Sequence, residues 1–92
     1  MNKALAIITV IGRDQIGIVA HVSKTLYELQ VNIEDMNQSI MKGFFVMGML
    51  VDLSTSPRQI TEIRQQLDKT GEKIGISITI QHEDIFNAMY RV

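Results

Sequence analysis

The stretch LAIITVIGRDQIGIVAHV, residues 5–22, changes its hydrophobic period in the middle. Leu5–Ile11 is rich in β-branched residues and apolar on both faces, which is typical of a strand in the centre of a sheet or covered on both sides. After Gly17 the apolar residues recur every three or four positions, as one face of a helix requires. The stretch therefore predicts a strand that stops at Gly12, a loop, and a helix that runs to about Gln30 with Asp14 as its N-cap.

The middle of the chain predicts two further strands joined by a tight turn. Asn32–Met41 alternates loosely between apolar and polar residues, as a half-buried edge strand does. Lys42-Gly43 supplies the turn. Phe44–Val51 is the most apolar run of the chain, and its two hydrophobic faces predict a central strand.

The last third of the chain predicts helix, strand and helix. Ser56-Pro57-Arg58-Gln59 has the Ser cap, the Pro at the first helical position and the Gln of a capping box. We expect this helix to end where Gly71 takes a left-handed conformation. Ile74–Ile80 alternates strictly and predicts the last strand. A short helix from Asp84 through Tyr90 closes the chain.

The element order strand, helix, strand, strand, helix, strand predicts an α+β, ferredoxin-like βαββαβ sandwich. Right-handed crossovers place both main helices on one face of an antiparallel four-stranded sheet. The other face stays open, yet the third strand carries Phe44, Val46 and Leu50 on one side and Phe45, Met47, Met49 and Val51 on the other. An open apolar face predicts self-association, with a homodimer as the simplest oligomer. We expect the methionines of this strand to lie in the core or at a subunit interface.

Length and charge exclude several classes of protein. The chain has 92 residues, so we expect a single domain over residues 1–92. Its formal net charge of −1 gives no electrostatic reason to bind nucleic acid or an anionic membrane surface. It contains no cysteine, which excludes disulfides, thiolate catalysis and cysteine-based metal sites and makes the cytoplasm the simplest location. We expect neither a cofactor nor a metal.

An RNA-binding function is disfavoured by the geometry of the aromatic residues. RNA recognition motifs share this element order, and Lys42-Gly43-Phe44-Phe45-Val46 faintly resembles their third strand. Bases stack on aromatic rings that share one sheet face, whereas the adjacent Phe44 and Phe45 point to opposite faces.

An enzymatic function has equally little support. The segment from Gly12 to Ala20 is superficially similar to the phosphate loop of acylphosphatases, but Ala20 replaces the essential arginine and Asp14 would repel a phosphate. His21 and His82 have no triad or metal spacing around them, and we expect His21 to be exposed on its helix. His82-Glu83-Asp84 has the groups to bind a cation, but a polar strand end that caps the final helix explains it better.

A third hypothesis about the function rests on the loop between the first predicted strand and the first predicted helix. The run from Val10 to Val19, VIGRDQIGIV, followed by Tyr-Glu-Leu at the helix end and Val31-Asn32-Ile33, resembles the signature of ACT domains. The resemblance covers nearly the whole chain. It is strongest to small stand-alone ACT proteins of bacteria and archaea, which are similar to the ACT domains of glycine cleavage system transcriptional repressors. Gln15-Ile16 departs from the pattern, because many members have a Pro before the Gly.

The resemblance implies a non-catalytic regulatory module that binds an amino acid between the first loop of one subunit and the second strand of its neighbour. The loop amides and the positive helix end suit a carboxylate, Asp14 suits an ammonium group, and Asn32 offers both a donor and an acceptor. The expected ligand-binding residues are Gly12, Arg13, Asp14, Gln15, Ile16, Gly17, Ile18, Asn32 and Ile33.

Two interpretations of these positions stay open. Turn formation by Gly12 and Gly17, capping by Asp14 and a turn at Asn32 explain the same residues without any ligand. The chain is then a protein–protein interaction or oligomerisation module.

Overall fold

A four-stranded antiparallel sheet carries the fold in the computed structural model, which describes residues 3–89. The strand order is β2-β3-β1-β4, which confirms the ferredoxin-like prediction. In chain order the elements are β1 (Leu5–Arg13), α1 (Ile18–Glu28), β2 (Asn32–Met41), β3 (Phe44–Asp52), a 3-10 turn (Leu53–Thr55), α2 (Ile60–Ile74), β4 (Ser77–His82) and α3 (Glu83–Met89).

The hydrophobic core lies between the sheet and the two long helices. Alternate residues of each inner strand are buried, because successive side chains of a strand point to opposite faces. The buried face of the sheet contains Ala6, Ile8, Val10, Phe45, Met47, Met49, Val51, Ile78 and Ile80. The helices bury Val22, Leu26, Ile63 and Leu67 against it. Met47 and Met49 are therefore core residues, as the sequence predicts for the Met-rich strand.

β2 and β3 form a hairpin through a two-residue turn. Lys42 and Gly43 both have positive φ angles, 52° and 81°, as a type I′ turn requires. The predicted bounds of β2 and the turn are confirmed. β2 is an edge strand, and all its residues from Asp35 to Met41 are exposed.

β1 is longer than the sequence predicts. It continues through Gly12 to Arg13, where Gly12 pairs with Phe45. Gly12 does not end the strand but allows a close approach, since a Cβ atom there would lie 2.3 Å from Cδ1 of Ile76. β3 likewise extends one residue further, to Asp52.

Both predicted helix caps are wrong. The N-cap of α1 is Gly17 rather than Asp14, and it makes no side-chain cap hydrogen bond. α2 begins at Ile60 rather than at Pro57, with Gln59 as its N-cap. The Ser56 hydroxyl accepts from the backbone N–H of Arg58 at 3.1 Å and donates to the carbonyl oxygen of Leu29 at 2.6 Å, so it joins the segment before α2 to the end of α1.

The end of α2 also differs from the prediction. Gly71 lies inside the helix, and the left-handed residue is Gly75, with φ 73°. Gly71 is required by packing, because a Cβ atom there would lie 2.4 Å from the carbonyl oxygen of Ile76. β4 consequently starts at Ser77, later than predicted, and extends to His82.

The closing helix α3 starts at Glu83, one residue earlier than predicted, and contacts β1 and β4. Its predicted last residue, Tyr90, lies outside the described residues. No helix within residues 3–89 has the length and apolar character needed to cross a membrane.

Candidate functional site

The loop between β1 and α1 is fastened to the body of the protein at two points. The backbone N–H of Asp14 donates to the carbonyl oxygen of Gly43 at 2.9 Å, which joins the loop to the β2–β3 turn. The side-chain amide of Gln15 donates to the carbonyl oxygen of Ile74 at 2.9 Å, at the end of α2. The loop backbone is thereby held on both sides.

The start of α1 offers unpaired backbone amides. Gly17 has φ 90°, a conformation that a residue with a Cβ atom rarely adopts, and it turns the chain into the helix. The first amides of a helix have no intrahelical partner and carry a partial positive charge, so this end suits a carboxylate. Ile16 beside it is completely exposed, and Ile18 is buried in the core.

Arg13 lies apart from these amides, at the end of β1. Its guanidinium carbon is 5.7 Å from the ring centre of Phe44, a cation–π contact. Among the predicted loop residues, Asp14 to Gly17 therefore form the accessible surface, while Arg13 belongs to the neighbouring sheet face.

Asn32 is held in place at the start of β2. Its backbone N–H donates to Oγ1 of Thr55 at 3.0 Å. Its side-chain amide nitrogen donates to Glu34, and Glu34 in turn accepts from Lys3. Because the nitrogen is used inside the protein, the Asn32 side chain presents its oxygen as a free acceptor, which suits an ammonium donor.

A shallow hollow of about 350 Å³ lies beside Asn32 and is also lined by Tyr27, Gln30, Val31 and Thr55. Tyr27 is 82% exposed although it lies on a helix that packs on the core. Ile33, the other predicted site residue on β2, is half-buried and packs against the core.

The structure places the predicted site residues in two groups at opposite ends of the sheet. The register pairs Leu5 with Asp52 and Asn32 with Asp52 at one end, and Arg13 with Phe44 at the other. Arg13 lies eight residues after Leu5 along β1, so the two ends are about 27 Å apart at ~3.4 Å per residue. One chain alone therefore cannot bring Asn32 and the loop around the same small molecule.

Three further residues of this region were not singled out from the sequence. Tyr27 was noted only as part of the Tyr-Glu-Leu pattern, and an exposed aromatic residue at the end of an amphipathic helix is a signal that could have found it. Glu34 and Thr55 act through tertiary hydrogen bonds to Asn32. Nothing local in the sequence marks those bonds.

The two histidines lie in different environments. His82 accepts from the backbone N–H of Asp84 at 3.3 Å through Nδ1, which confirms the capping role for this strand end. His21 is half-buried rather than exposed, and it lines a cleft of about 270 Å³ between α1 and α2 with Lys24, Thr25 and Thr70. Within the described range, no three His, Asp or Glu side chains are grouped so that they could hold a metal ion.

Comparison with curated proteins shows close relatives along almost the whole chain. A UPF0237 protein of Clostridium acetobutylicum is 52% identical over 87 residues, which cover 95% of this chain and 98% of the relative. A UPF0237 protein of Methanopyrus kandleri is 46% identical over 87 residues, with 95% and 97% of the two chains covered.

Comparison with solved structures also finds similar proteins that align with most of this chain. An ACT domain protein from Streptococcus pneumoniae is 39% identical, with a TM-score of 0.82 over 97% of this chain and all of the other. A putative glycine cleavage system transcriptional repressor shares the fold at 23% identity, with a TM-score of 0.77 over 89% of this chain and 47% of the other. The family model of the ACT domain matches residues 4–81. The chain therefore belongs to the ACT domain family.

Proposed function

We propose that this chain is a non-catalytic regulatory module that binds an amino acid or a related small metabolite between two copies of itself. The observation that carries the proposal is the separation of the loop and Asn32 by about the length of the sheet. Each end of the sheet offers one half of an amino-acid site, and a second copy supplies the other half.

The exposed β2 edge provides the pairing that such a site needs. An edge strand with free backbone groups is a template for another strand, and β2 is ten residues long with Met36, Ile40 and Met41 exposed. A two-fold axis pairs identical edges in antiparallel orientation. The loop end of one copy then lies beside the Asn32 end of the other, which gives the homodimer two equivalent sites.

Each half of the site has a separate chemical role. The amides at the start of α1 bind the carboxylate of the ligand. The carboxylate of Asp14 and the side-chain oxygen of Asn32 from the neighbouring copy accept hydrogen bonds from the ammonium group. The exposed Ile16 of one copy covers the hollow beside Tyr27 of the other and excludes water from it.

Thermal unfolding in the presence of single amino acids and related metabolites tests the proposal. A ligand at one hundred times its dissociation constant should stabilise the protein by about 2.7 kcal/mol. Asn32→Ala should remove this stabilisation and leave the oligomer intact. Asn37→Ala is the matched control, because Asn37 is an exposed asparagine of the same strand outside the hollow.

A contrary result has a specific meaning. If no amino acid or related metabolite raises the unfolding temperature, or if Asn32→Ala responds as Asn37→Ala does, the ligand site is wrong. The chain is then an interaction module that holds other proteins through its sheet. The cytoplasmic location stays a prediction in either case.

A further inference from the structure

Glu34 interrupts the regular pairing of β2 with β3. Its neighbours Ile33 and Asp35 pair with two successive residues of β3, so Glu34 is the extra residue of a β-bulge. A bulge bends its strand and re-aims a side chain, and bulges are frequent next to binding sites. The Glu34 side chain is only 19% exposed although β2 lies at the edge of the sheet. Its carboxylate is therefore held against the protein.

The two carboxylate oxygens of Glu34 have different partners. Oε1 accepts from the ammonium group of Lys3, and Oε2 accepts from the side-chain amide nitrogen of Asn32. The hydrogen bond and the charge of Glu34 raise the pKa of Lys3, so the ammonium group stays charged at neutral pH. Because both oxygens are occupied, the carboxylate cannot turn without breaking a contact with Lys3 or with Asn32.

This arrangement fixes the orientation of the Asn32 amide. An ionised carboxylate accepts hydrogen bonds and donates none, so only the amide nitrogen can face Glu34. Turning the amide over would place its oxygen against the carboxylate, with no proton between the two acceptors. The backbone N–H of Asn32 is held as well, because it donates to Thr55. Asn32, which lines the hollow beside Tyr27, therefore offers a ligand an acceptor rather than a donor.

We propose that Glu34 is a positioning residue that makes the site selective for α-amino acids over the corresponding α-keto acids. This selectivity rests on the amino-acid site proposed above. The two ligand classes share their carboxylate and side chain and differ at one group, which is an ammonium donor or a carbonyl acceptor. The Asn32 oxygen bonds to the ammonium group and repels the carbonyl oxygen. A site built to bond one polar group discriminates strongly against an analogue that leaves its own atoms unpaired.

Glu34→Gln changes the polarity of this contact at nearly constant shape. The Lys3 ammonium group is only a donor, so it takes the glutamine oxygen as its acceptor. The glutamine nitrogen then faces Asn32 and donates to its oxygen. The Asn32 amide consequently turns over and offers its nitrogen to the ligand. Asp14 still favours an amine, so the preference for amino acids should fall without disappearing.

Matched pairs of acids test the selectivity. Suitable pairs are alanine and pyruvate, leucine and ketoleucine, phenylalanine and phenylpyruvate, and glutamate and α-ketoglutarate, with dissociation constants measured by isothermal titration calorimetry. The native protein should bind the amino acid of its best pair at least about tenfold more tightly than the keto acid. Glu34→Gln should lower this ratio by about tenfold, the contribution of one hydrogen bond to a charged group. Glu72→Gln, the same change at an exposed position on α2, should keep the native ratio.

The orientation of Asn32 is also measurable without any ligand. The Nδ2 protons of Asn32 are identified in nuclear magnetic resonance spectra by their absence from the Asn32→Ala variant. They should exchange with solvent more slowly in the native protein than in Glu34→Ala, because the hydrogen bond to Glu34 protects them. Equal exchange rates would overturn the role of Glu34 even if amino acids bind.

The binding results separate the role of Glu34 from the amino-acid site itself. If the native protein binds an amino acid and its keto acid equally well, or if Glu34→Gln keeps the native ratio, Glu34 does not set the selectivity and the amino-acid site stands. If no amino acid of the pairs binds to the native protein, the site and its selectivity both fail.

Discussion

Gly71 has no room for a side chain, because α2 passes directly against the backbone of Ile76. A Cβ atom would lie 2.4 Å from a carbonyl oxygen that cannot move without shifting the start of β4. Gly71→Ala should therefore lower the free energy of unfolding by about 1–2 kcal/mol, after the ~1 kcal/mol that alanine adds to helix propensity. Urea unfolding followed by circular dichroism measures this difference.

Gly12→Ala is the comparison at the same contact point. Its Cβ atom would meet mainly Cδ1 of Ile76, the flexible end of a side chain. Because that methyl group can rotate away, the free energy of unfolding should fall less than it does for Gly71→Ala. An equal fall in the free energy of unfolding would mean that the side chain of Ile76 is as rigid as its backbone at this contact.

At the scale of elements, Asp52 joins the start of β1 to the end of β3. Its Oδ1 atom accepts from the backbone N–H of Ala4 at 3.0 Å and from the backbone N–H and the hydroxyl of Ser54. The Ser54 hydroxyl, assisted by these backbone amides and the charge of Lys3, lowers the pKa of Asp52 from its ordinary 3.8, although desolvation opposes the shift. The charged form is thus the one that stabilises the fold.

The pH dependence of stability follows from the direction of that shift. A carboxylate with a lowered pKa contributes stability above its unfolded pKa and loses it as the pH falls through the folded value. Asp52→Asn should therefore unfold at a lower temperature than the native protein at pH 7, and the difference should shrink as the pH falls below about 4. Melting curves from pH 7 to pH 3 check this, and a difference independent of pH would contradict it.

The strands, the turn and the helices differ in how well their positions could be predicted from the sequence. The strands and the Lys42-Gly43 turn were predictable because alternation and turn chemistry are local. The start of α2 was not, since Ser56 has the sequence of a cap but bonds to Leu29, 27 residues earlier. The packing of Gly71 was not predictable either, because the backbone of Ile76 that it contacts lies in the connection between α2 and β4. The loop residues were recognisable from their pattern, whereas the Glu34 contact that orients Asn32 was not.

At the scale of the whole molecule, the β2 edge can be blocked without disturbing the core. Met36 and Ile40 are 40% and 61% exposed and lie on the helix side of β2, since they pair with the core residues Met49 and Phe45. Lysines on an edge strand oppose strand pairing by charge and hydration. The variant Met36→Lys/Ile40→Lys should have half the native molar mass and no thermal response to amino acids.

A variant with lysines at positions 36 and 40 that keeps both its mass and its ligand response would exclude β2 as the pairing edge. Ser39→Ala, an exposed change in the same strand, should behave as the native protein.

The hydrogen bond from the Asp14 amide to Gly43 makes one proton a reporter of loop motion. That proton exchanges with deuterated solvent only when the loop separates from the β2–β3 turn, so its exchange rate measures how often the loop opens. A molecule that binds the loop in its closed form slows this single exchange and leaves the core amides unchanged. The frequency of loop opening can thus be followed by nuclear magnetic resonance before the identity of any ligand is known.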